Sequence, residues 1–269
     1  MLELSQKLLN DVLQIAHQAG RHLREFYQQS VDIQIKSDNT PVTNADLFIS
    51  RFLTEKLTAL TPNIPVLSEE CCDISLAQRQ QWQSYWIIDP LDGTQQFINR
   101  TDQFAVLIAL VQHNRSVLGV IHAPILERTF YAMKGFGAFK CVAHQTSRLN
   151  ARELDFSRPI KIALGSKSAQ KRLQPMLKPE YQYEFVIFGS SGLKSTLVAD
   201  GEADCYVRQG KTGEWDTAAS EILLEEIGGI ICNTAFRPLV YNQRDSLENP
   251  DFLMLCSKQA QWRELFDFN

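Results

Sequence analysis

The stretch Trp86-Ile87-Ile88-Asp89-Pro90-Leu91-Asp92-Gly93-Thr94 constrains this chain more than any other. An aromatic residue and two β-branched ones read as a buried strand, which then delivers two aspartates three positions apart to its end. Pro90 is expected to stop the strand, Asp92-Gly93 to turn sharply, and Gly93 to let the backbone come close to a ligand. A short helix beginning at Thr94, over Gln95 to Asn99, would offer free N–H groups to a phosphate. Clustered acids repel one another unless a cation neutralises them, and hard cations such as Mg²⁺ take oxygen ligands. Ser68-Glu69-Glu70 and Trp215-Asp216-Thr217-Ala218-Ala219 put further carboxylates where such a site could use them. Together the three pieces point to metal-assisted phosphate chemistry.

The rest of the composition narrows the class. A chain of 269 residues suits one large domain or two closely packed subdomains. Its net charge of -4 argues against nucleic-acid binding, where a basic excess supplies most of the affinity. No window approaches the roughly 18 consecutive apolar residues of a membrane span, and Glu3, Lys7 and Asp11 interrupt any signal-peptide core. Six cysteines (71, 72, 141, 205, 232 and 256) without a C-x-x-C favour reduced thiols and a cytoplasmic address. Five histidines (17, 22, 113, 122 and 144) show no zinc-ligand spacing and read as structural, so any metal is held by oxygen.

Periodicity gives a coarse fold. Leu2, Leu9, Val12, Leu13, Ala16, Ala19, Leu23 and Phe26 recur at helical spacing, and a second helix is expected from about Asn44 to Leu60. Strands follow at Phe104–Leu110, Val117–Ile121 and Thr129–Met133, spaced as in an antiparallel sheet. The polar stretch from His144 to Arg158 marks a subdomain boundary near 150, dividing 1–150 from 151–269. Beyond it, Ile160–Leu164, Phe185–Phe188, Leu193–Ala199, Cys205–Val207 and Thr217–Ile227 alternate strands with helices, and Gly228-Gly229 stops the last helix. This is an α+β chain, and an α/β/α/β/α sandwich would bury both sheets.

Each acidic piece also has an ordinary explanation. Asp-Gly is a common turn, Asp216 could be a helix N-cap, Glu69-Glu70 could be a solvated pair, and Thr43-x-x-Asp46 reads as a capping box. Lys36-Ser37-Asp38 would otherwise be surface. The joint pattern outweighs these. Lys36-x-Asp38, Asp46, Glu69-Glu70, Asp89-Pro90-Leu91-Asp92-Gly93-Thr94 and Trp215-Asp216-Thr217-Ala218-Ala219, in that order, resemble the signatures of the inositol monophosphatase superfamily nearly end to end. Within it, Pro65-Val66-Leu67-Ser68-Glu69-Glu70 and Gly189-Ser190-Ser191 with Lys194 resemble the 3'(2'),5'-bisphosphate nucleotidases.

That resemblance implies an inositol monophosphatase/fructose-1,6-bisphosphatase-like sandwich and removal of the 3'-phosphate from adenosine 3',5'-bisphosphate, a by-product of sulfate assimilation. Activity on its sulfated precursor is a further possibility, and the alternative is an inositol- or sugar-phosphate phosphatase. By resemblance, Glu69, Asp89, Asp92, Asp216 and the Leu91 carbonyl hold two Mg²⁺ ions, with Li⁺ as an inhibitor. A two-metal site clamps the attacking and leaving oxygens of an in-line displacement. Thr94, hydrogen-bonded to Asp46, would orient the water and take its proton, with Glu70 assisting, while Lys36 could steady the phosphate or a weaker third metal. The substrate contacts implied are Glu69, Leu91, Asp92, Gly93, Thr94, Ser191, Lys194, Arg208 and Asp216, with Ser191, Lys194 and Arg208 contacting the nucleotide, including its second phosphate. The resemblance also allows a peripheral place on the cytoplasmic face of the inner membrane.

Two departures are visible. Gln95-Gln96 stands where these nucleotidases usually carry Lys-Glu, and Ala169 where many relatives have a histidine near the ligand. Two rivals fit less well. Haloacid dehalogenase phosphatases space their acids two apart, against three for Asp89 and Asp92. A non-catalytic sensor would be expected to have lost a water-activating group, yet Asp46, Glu70 and Thr94 are all present.

Overall fold

The computed structural model describes residues 2–30, 32–36, 40–258 and 261–268. Ser5 caps α1 (Gln6–Tyr27) by accepting the Leu8 N–H at 3.2 Å. Leu2 therefore precedes the helix, and its carbonyl accepts Gln112 Nε2 at 2.9 Å. A hairpin of β1 (Ile33–Ile35) and β2 (Pro41–Thr43) leads into α2 (Asn44–Leu60). Then come β3 (Val66–Ser68), the single turn α3 (Leu76–Arg79), β4 (Ser84–Asp92) and α4 (Thr94–Ile98). A meander follows: β5 (Ala105–Gln112), β6 (Arg115–Ala123), β7 (Arg128–Met133), β8 (Gly137–Val142) and β9 (Gln145–Arg148).

Strands and helices then alternate through β10 (Ile160–Leu164), α5 (Lys167–Leu173), β11 (Tyr183–Ile187) and α6 (Ser191–Asp200). The chain continues through β12 (Cys205–Arg208), α7 (Trp215–Glu225), β13 (Ile230–Asn233) and β14 (Phe252–Leu255). β3 to β9 lie side by side in chain order, antiparallel except for the parallel pair β3/β4. The second sheet has the order β11-β10-β12-β14-β13, parallel across the first three and antiparallel around β14.

Alternation along β4 and β5 explains the layers. Trp86, Ile88, Val106, Ile108 and Leu110 pack with α1 and α2, whereas Tyr85, Ile87, Leu107, Ala109 and Val111 belong to the core shared with α7. With both faces covered, every residue of β4 and β5 is buried. α6 lies between the two sheets and is buried from Ser191 to Ala199, so it lacks the polar face of a surface helix. α5 packs on β10. The layers run α1–α2, seven-stranded sheet, α6–α7, five-stranded sheet, α5, which is the sandwich expected.

Some local expectations shift. β4 does not stop at Pro90: it runs to Asp92, with the ladder to β5 skipping from Asp89/Leu107 to Asp92/Ala105. A proline has no N–H to donate, so it breaks the pairing locally while the strand continues. α7 begins at Trp215 after Glu214, so Asp216 sits in its first turn instead of at its N-cap. The short strands β1, β2, β3, β9, β13 and β14 are too brief for their periodicity to show in the sequence. Among the described residues, no helix is long and apolar enough to cross a membrane.

Candidate active site

β4 ends under the N-termini of two helices, and its last acid is fastened there. Gly93 has φ +99°, a conformation that disfavours side chains, and turns the chain straight from β4 into α4. Asp92 Oδ1 accepts the Ser191 N–H at 2.9 Å, and Oδ2 accepts the Gly192 N–H at 2.6 Å and the Ser190 hydroxyl. A Cβ on Gly192 would lie 3.0 Å from Asp92 Oδ2 and 2.6 Å from Leu107, so glycine permits this approach. One carboxylate therefore satisfies the first two N–H donors of α6, and the Ser190 hydroxyl accepts the third, from Leu193.

Asp89 and Asp216 are less engaged. Asp89 Oδ1 accepts the Leu91 N–H at 3.0 Å, and Asp216 Oδ2 accepts the Gly213 N–H at 2.7 Å. One oxygen from each of Asp89, Asp92 and Asp216 lies within 4.8 Å of the other two. Burial, then Glu69, Asp92 and Asp216, push the pKa of Asp89 well up, and burial, then Asp92 and Glu69, do the same for Asp216. Such a cluster favours taking up protons or a cation. A carboxylate has about four lone-pair sites, so three hydrogen bonds on Asp92 leave room for one more contact. The Leu91 carbonyl lies 3.2 Å from the Thr94 hydroxyl. The donor set is all oxygen and fits Mg²⁺.

Asp46 caps α2 and also bonds the cavity residue Thr94. Its Oδ2 accepts the Thr43 N–H at 2.8 Å and the Thr43 hydroxyl, completing the capping box of α2. Its Oδ1 accepts the Thr94 hydroxyl at 2.9 Å. One hydroxyl proton cannot serve both Asp46 and Leu91, and the shorter bond to a carboxylate takes it. Burial raises the pKa of Asp46 against the bonds from Thr43 and Thr94.

Lys36 Nζ bridges Glu69 Oε1 at 2.9 Å and Glu70 Oε1 at 2.7 Å. Burial lowers its pKa, but Glu69 and Glu70 outweigh that and raise it overall. Burial and then Glu69 push Glu70 up to about 7. The sequence motif's Asp38 lies outside the described residues.

These groups border a cavity of about 380 Å³. Glu69, Asp89, Leu91, Asp92, Gly93, Thr94, Ser191, Lys194, Arg208 and Asp216 all line it, so every expected metal ligand and substrate contact reaches one space. Lys36, Asp46 and Glu70 do not line it and are joined to it through hydrogen bonds to Glu69 and Thr94. A larger hollow of about 640 Å³, beside Trp82, has no ionisable side chain in its lining.

The sequence reading missed Ser190, Tyr206 and Arg172 on the cavity wall. Ser190 stands in the Gly189-Ser190-Ser191 motif without being singled out as a contact, Arg172 carried no local signal, and Tyr206 read as a plain strand residue. Lys194 is buried at 3% exposure, and its ammonium donates to the carbonyls of Phe188 (3.4 Å), Gly189 (3.3 Å) and Ser190. It sits 4.9 Å from the centre of the Tyr206 ring, and burial lowers its pKa to about 8. Arg208 donates Nη2 to the Lys211 carbonyl at 2.8 Å.

Comparison with known proteins settles the ancestry. Residues 5–264 match the model of the inositol monophosphatase family. The chain belongs to that family. Among members of the inositol monophosphatase family, it is 57% identical over 269 residues to the 3'(2'),5'-bisphosphate nucleotidase CysQ of Haemophilus influenzae, covering all of both chains. It is 36% identical to CysQ of Escherichia coli K12, covering 91% of this chain and 98% of the relative. A crystal structure of CysQ from Bacteroides thetaiotaomicron superposes with a TM-score of 0.78 at 30% identity, covering 95% of this chain and 98% of that one. The inositol monophosphatase fold accounts for both sheets and the helical layers between and around them.

Proposed function

We propose that this chain is a metal-dependent 3'(2'),5'-bisphosphate nucleotidase that hydrolyses the 3'-phosphate of adenosine 3',5'-bisphosphate to AMP and phosphate, serving sulfate assimilation. The observation that carries the reading is one cavity lined by four acids and by the cations Arg172, Lys194 and Arg208, beside a threonine whose hydroxyl proton points at a buried aspartate. Full-length identity to bisphosphate nucleotidases supports the substrate class.

Glu69, Asp89, Asp92, Asp216 and the Leu91 carbonyl would hold Mg²⁺, in two sites with a weaker third near Lys36. Bound there, Mg²⁺ supplies charge neutralisation for the phosphate and lowers the pKa of water in its reach. Because Thr94 gives its proton to Asp46, its oxygen keeps lone pairs to accept a proton from the attacking water. Asp46, its other oxygen fixed by Thr43, can take the Thr94 proton in turn. The N–H groups of Gly93 and Thr94 hold phosphate oxygens at the turn into α4. Glu70, kept near Glu69 by Lys36, assists as a second proton acceptor. Ser191, Lys194 and Arg208 shape the wall that receives the nucleoside.

The test is phosphate release with Mg²⁺ from adenosine 3',5'-bisphosphate, adenosine 2',5'-bisphosphate, inositol 1-phosphate and fructose 1,6-bisphosphate. The reading expects the highest kcat/KM on a nucleoside bisphosphate; a higher value on inositol 1-phosphate would reverse it.

A further inference from the structure

Three cations reach the cavity wall from different elements, and their hydrogen bonds set them apart. The three donors of the Lys194 ammonium match three backbone carbonyls in the 188–190 turn. The same turn supplies Ser190, which caps α6 and bonds Asp92. Lys194 therefore has its donors engaged in holding the loop that holds Asp92. Arg208 donates to Lys211 and lies close enough to act on the charges of both Lys194 and Asp216, which places it toward the acidic end.

Arg172 differs from both. It is exposed on α5, lines the cavity, and among the described residues makes one hydrogen bond, from Nη1 to Ser168 Oγ at 3.1 Å. That bond runs back one turn, as helical side chains do. The guanidinium thus lies over the N-terminal half of α5, toward Ser166 and Ala169, which line the same cavity. Ala169, at i−3 on the same face, presents only a methyl group and leaves the wall open beside it. Its remaining edge, Nε and Nη2, is free to meet two oxygens at once.

We propose that Arg172 is the specificity-determining residue that binds the phosphate which is not hydrolysed. This inference rests on the bisphosphate reading above and adds an orientation to it. The four carboxylates repel any phosphate that is not neutralised beside them, so a substrate with two phosphates needs a cation apart from them for its second charge. Arg172, unlike Arg208, is not among the main charges acting on Glu69, Asp89 or Asp216. Arg172 supplies a planar fork suited to phosphate, on the short helix that follows β10, whereas Lys194 has no donor left. A monophosphate leaves Arg172 in water at no penalty, so its contribution appears in discrimination between substrates.

The measurement is kcat/KM on adenosine 3',5'-bisphosphate divided by kcat/KM on adenosine 3'-monophosphate, with saturating Mg²⁺. Arg172→Gln should lower that ratio about tenfold, the scale of one charge-assisted hydrogen bond, mainly through KM for the bisphosphate. Arg172→Lys should recover part of the ratio, because it restores charge without the fork. Lys171→Gln, an equal change of net charge one residue away and off the cavity wall, controls for long-range attraction. A wild-type ratio well above one that Arg172→Gln leaves unchanged, or that Lys171→Gln lowers equally, overturns the assignment of Arg172 alone. A wild-type ratio near one overturns the bisphosphate reading and this inference with it.

Discussion

Asp89 and Asp204 are both buried aspartates, and the fold treats them in opposite ways. Asp204, fully buried between α6 and β12, is surrounded by donors. Arg152 Nη1 reaches it at 2.8 Å, Arg158 at 2.8 and 2.9 Å, and the Lys161 N–H at 2.8 Å. Burial would raise its pKa, but Arg158, the Lys161 N–H and Arg152 together bring it below the usual carboxylate range. Asp89 is equally enclosed and faces Glu69, Asp92 and Asp216 instead, so its pKa is driven well up. An acid that serves the fold comes with its cations built into the chain. Among the described residues, the acids of the cavity have one cation hydrogen-bonded to them, Lys36 on Glu69. Lys194 and Arg208 act on Asp92 and Asp216 without bonding them, so the acids are left for a cation from outside. The contrast separates structural carboxylates from functional ones without reference to a motif.

Asp89→Asn should show the largest effect. Removing one ligand charge should lower kcat by on the order of 10³-fold, the upper scale for losing a single electrostatic stabiliser, while thermal stability in EDTA stays equal or rises because like-charge crowding is relieved. Mg²⁺ should raise the melting temperature of the wild type and leave the variant nearly unchanged. A variant that loses stability in EDTA would place Asp89 among the structural acids. Asp92→Asn is a poorer choice, because Asp92 also caps α6.

Asp204→Ala is the reverse experiment. It leaves Arg152 and Arg158 facing a buried space without their carboxylate, and denaturant titration should show a loss of about 3–5 kcal/mol. The kcat of the folded protein should stay near wild type. A large fall in kcat with little loss of stability would erase the distinction between the two acids.

Thr94→Ala tests the proton path beside the acids. General-base assistance is worth about 10²-fold at its lower end, so kcat should fall by that much with Mg²⁺ affinity nearly unchanged. A kcat near wild type would mean that the water loses its proton elsewhere.

His122 shows a third arrangement, a buried group kept neutral. Thr129 Oγ1 lies 2.9 Å from its Nδ1. Burial, with His17 and Arg24 nearby, depresses its pKa to about 3. Below about pH 6.5 the unfolded chain binds a proton that the folded one refuses, so stability falls as pH drops from there toward 3. The linkage amounts to about 2 kcal/mol by pH 5. His122→Gln should flatten the stability–pH curve between pH 6.5 and 4 relative to wild type; parallel curves would show that the histidine charges without penalty.

Much of the candidate site was legible because its acids stand beside distinctive neighbours. Asp89 and Asp92 follow a buried strand, and Asp216 follows a tryptophan at a helix start. The capping-box and catalytic readings of Asp46 looked like alternatives in the sequence, yet one oxygen serves the capping box and leaves the other bonded to Thr94, so the two are compatible. What stayed hidden was contact across long sequence distance. Nothing near Asp92 announces that Ser190 to Gly192, about a hundred positions later, will deliver a helix start to it. Lys194 reads as a free cation until the 188–190 carbonyls are seen around its ammonium. Strands of three or four residues such as β3 and β13 are held by their neighbours' pairing and have no pattern of their own to read.

The central claim is that the uncompensated acids of the cavity seat a metal on which phosphate hydrolysis depends. Phosphate release from adenosine 3',5'-bisphosphate by the wild-type protein, in EDTA and then after excess Mg²⁺ is added back, tests it most directly. The account predicts no turnover above background in EDTA and full recovery with Mg²⁺. Full activity in EDTA would contradict it.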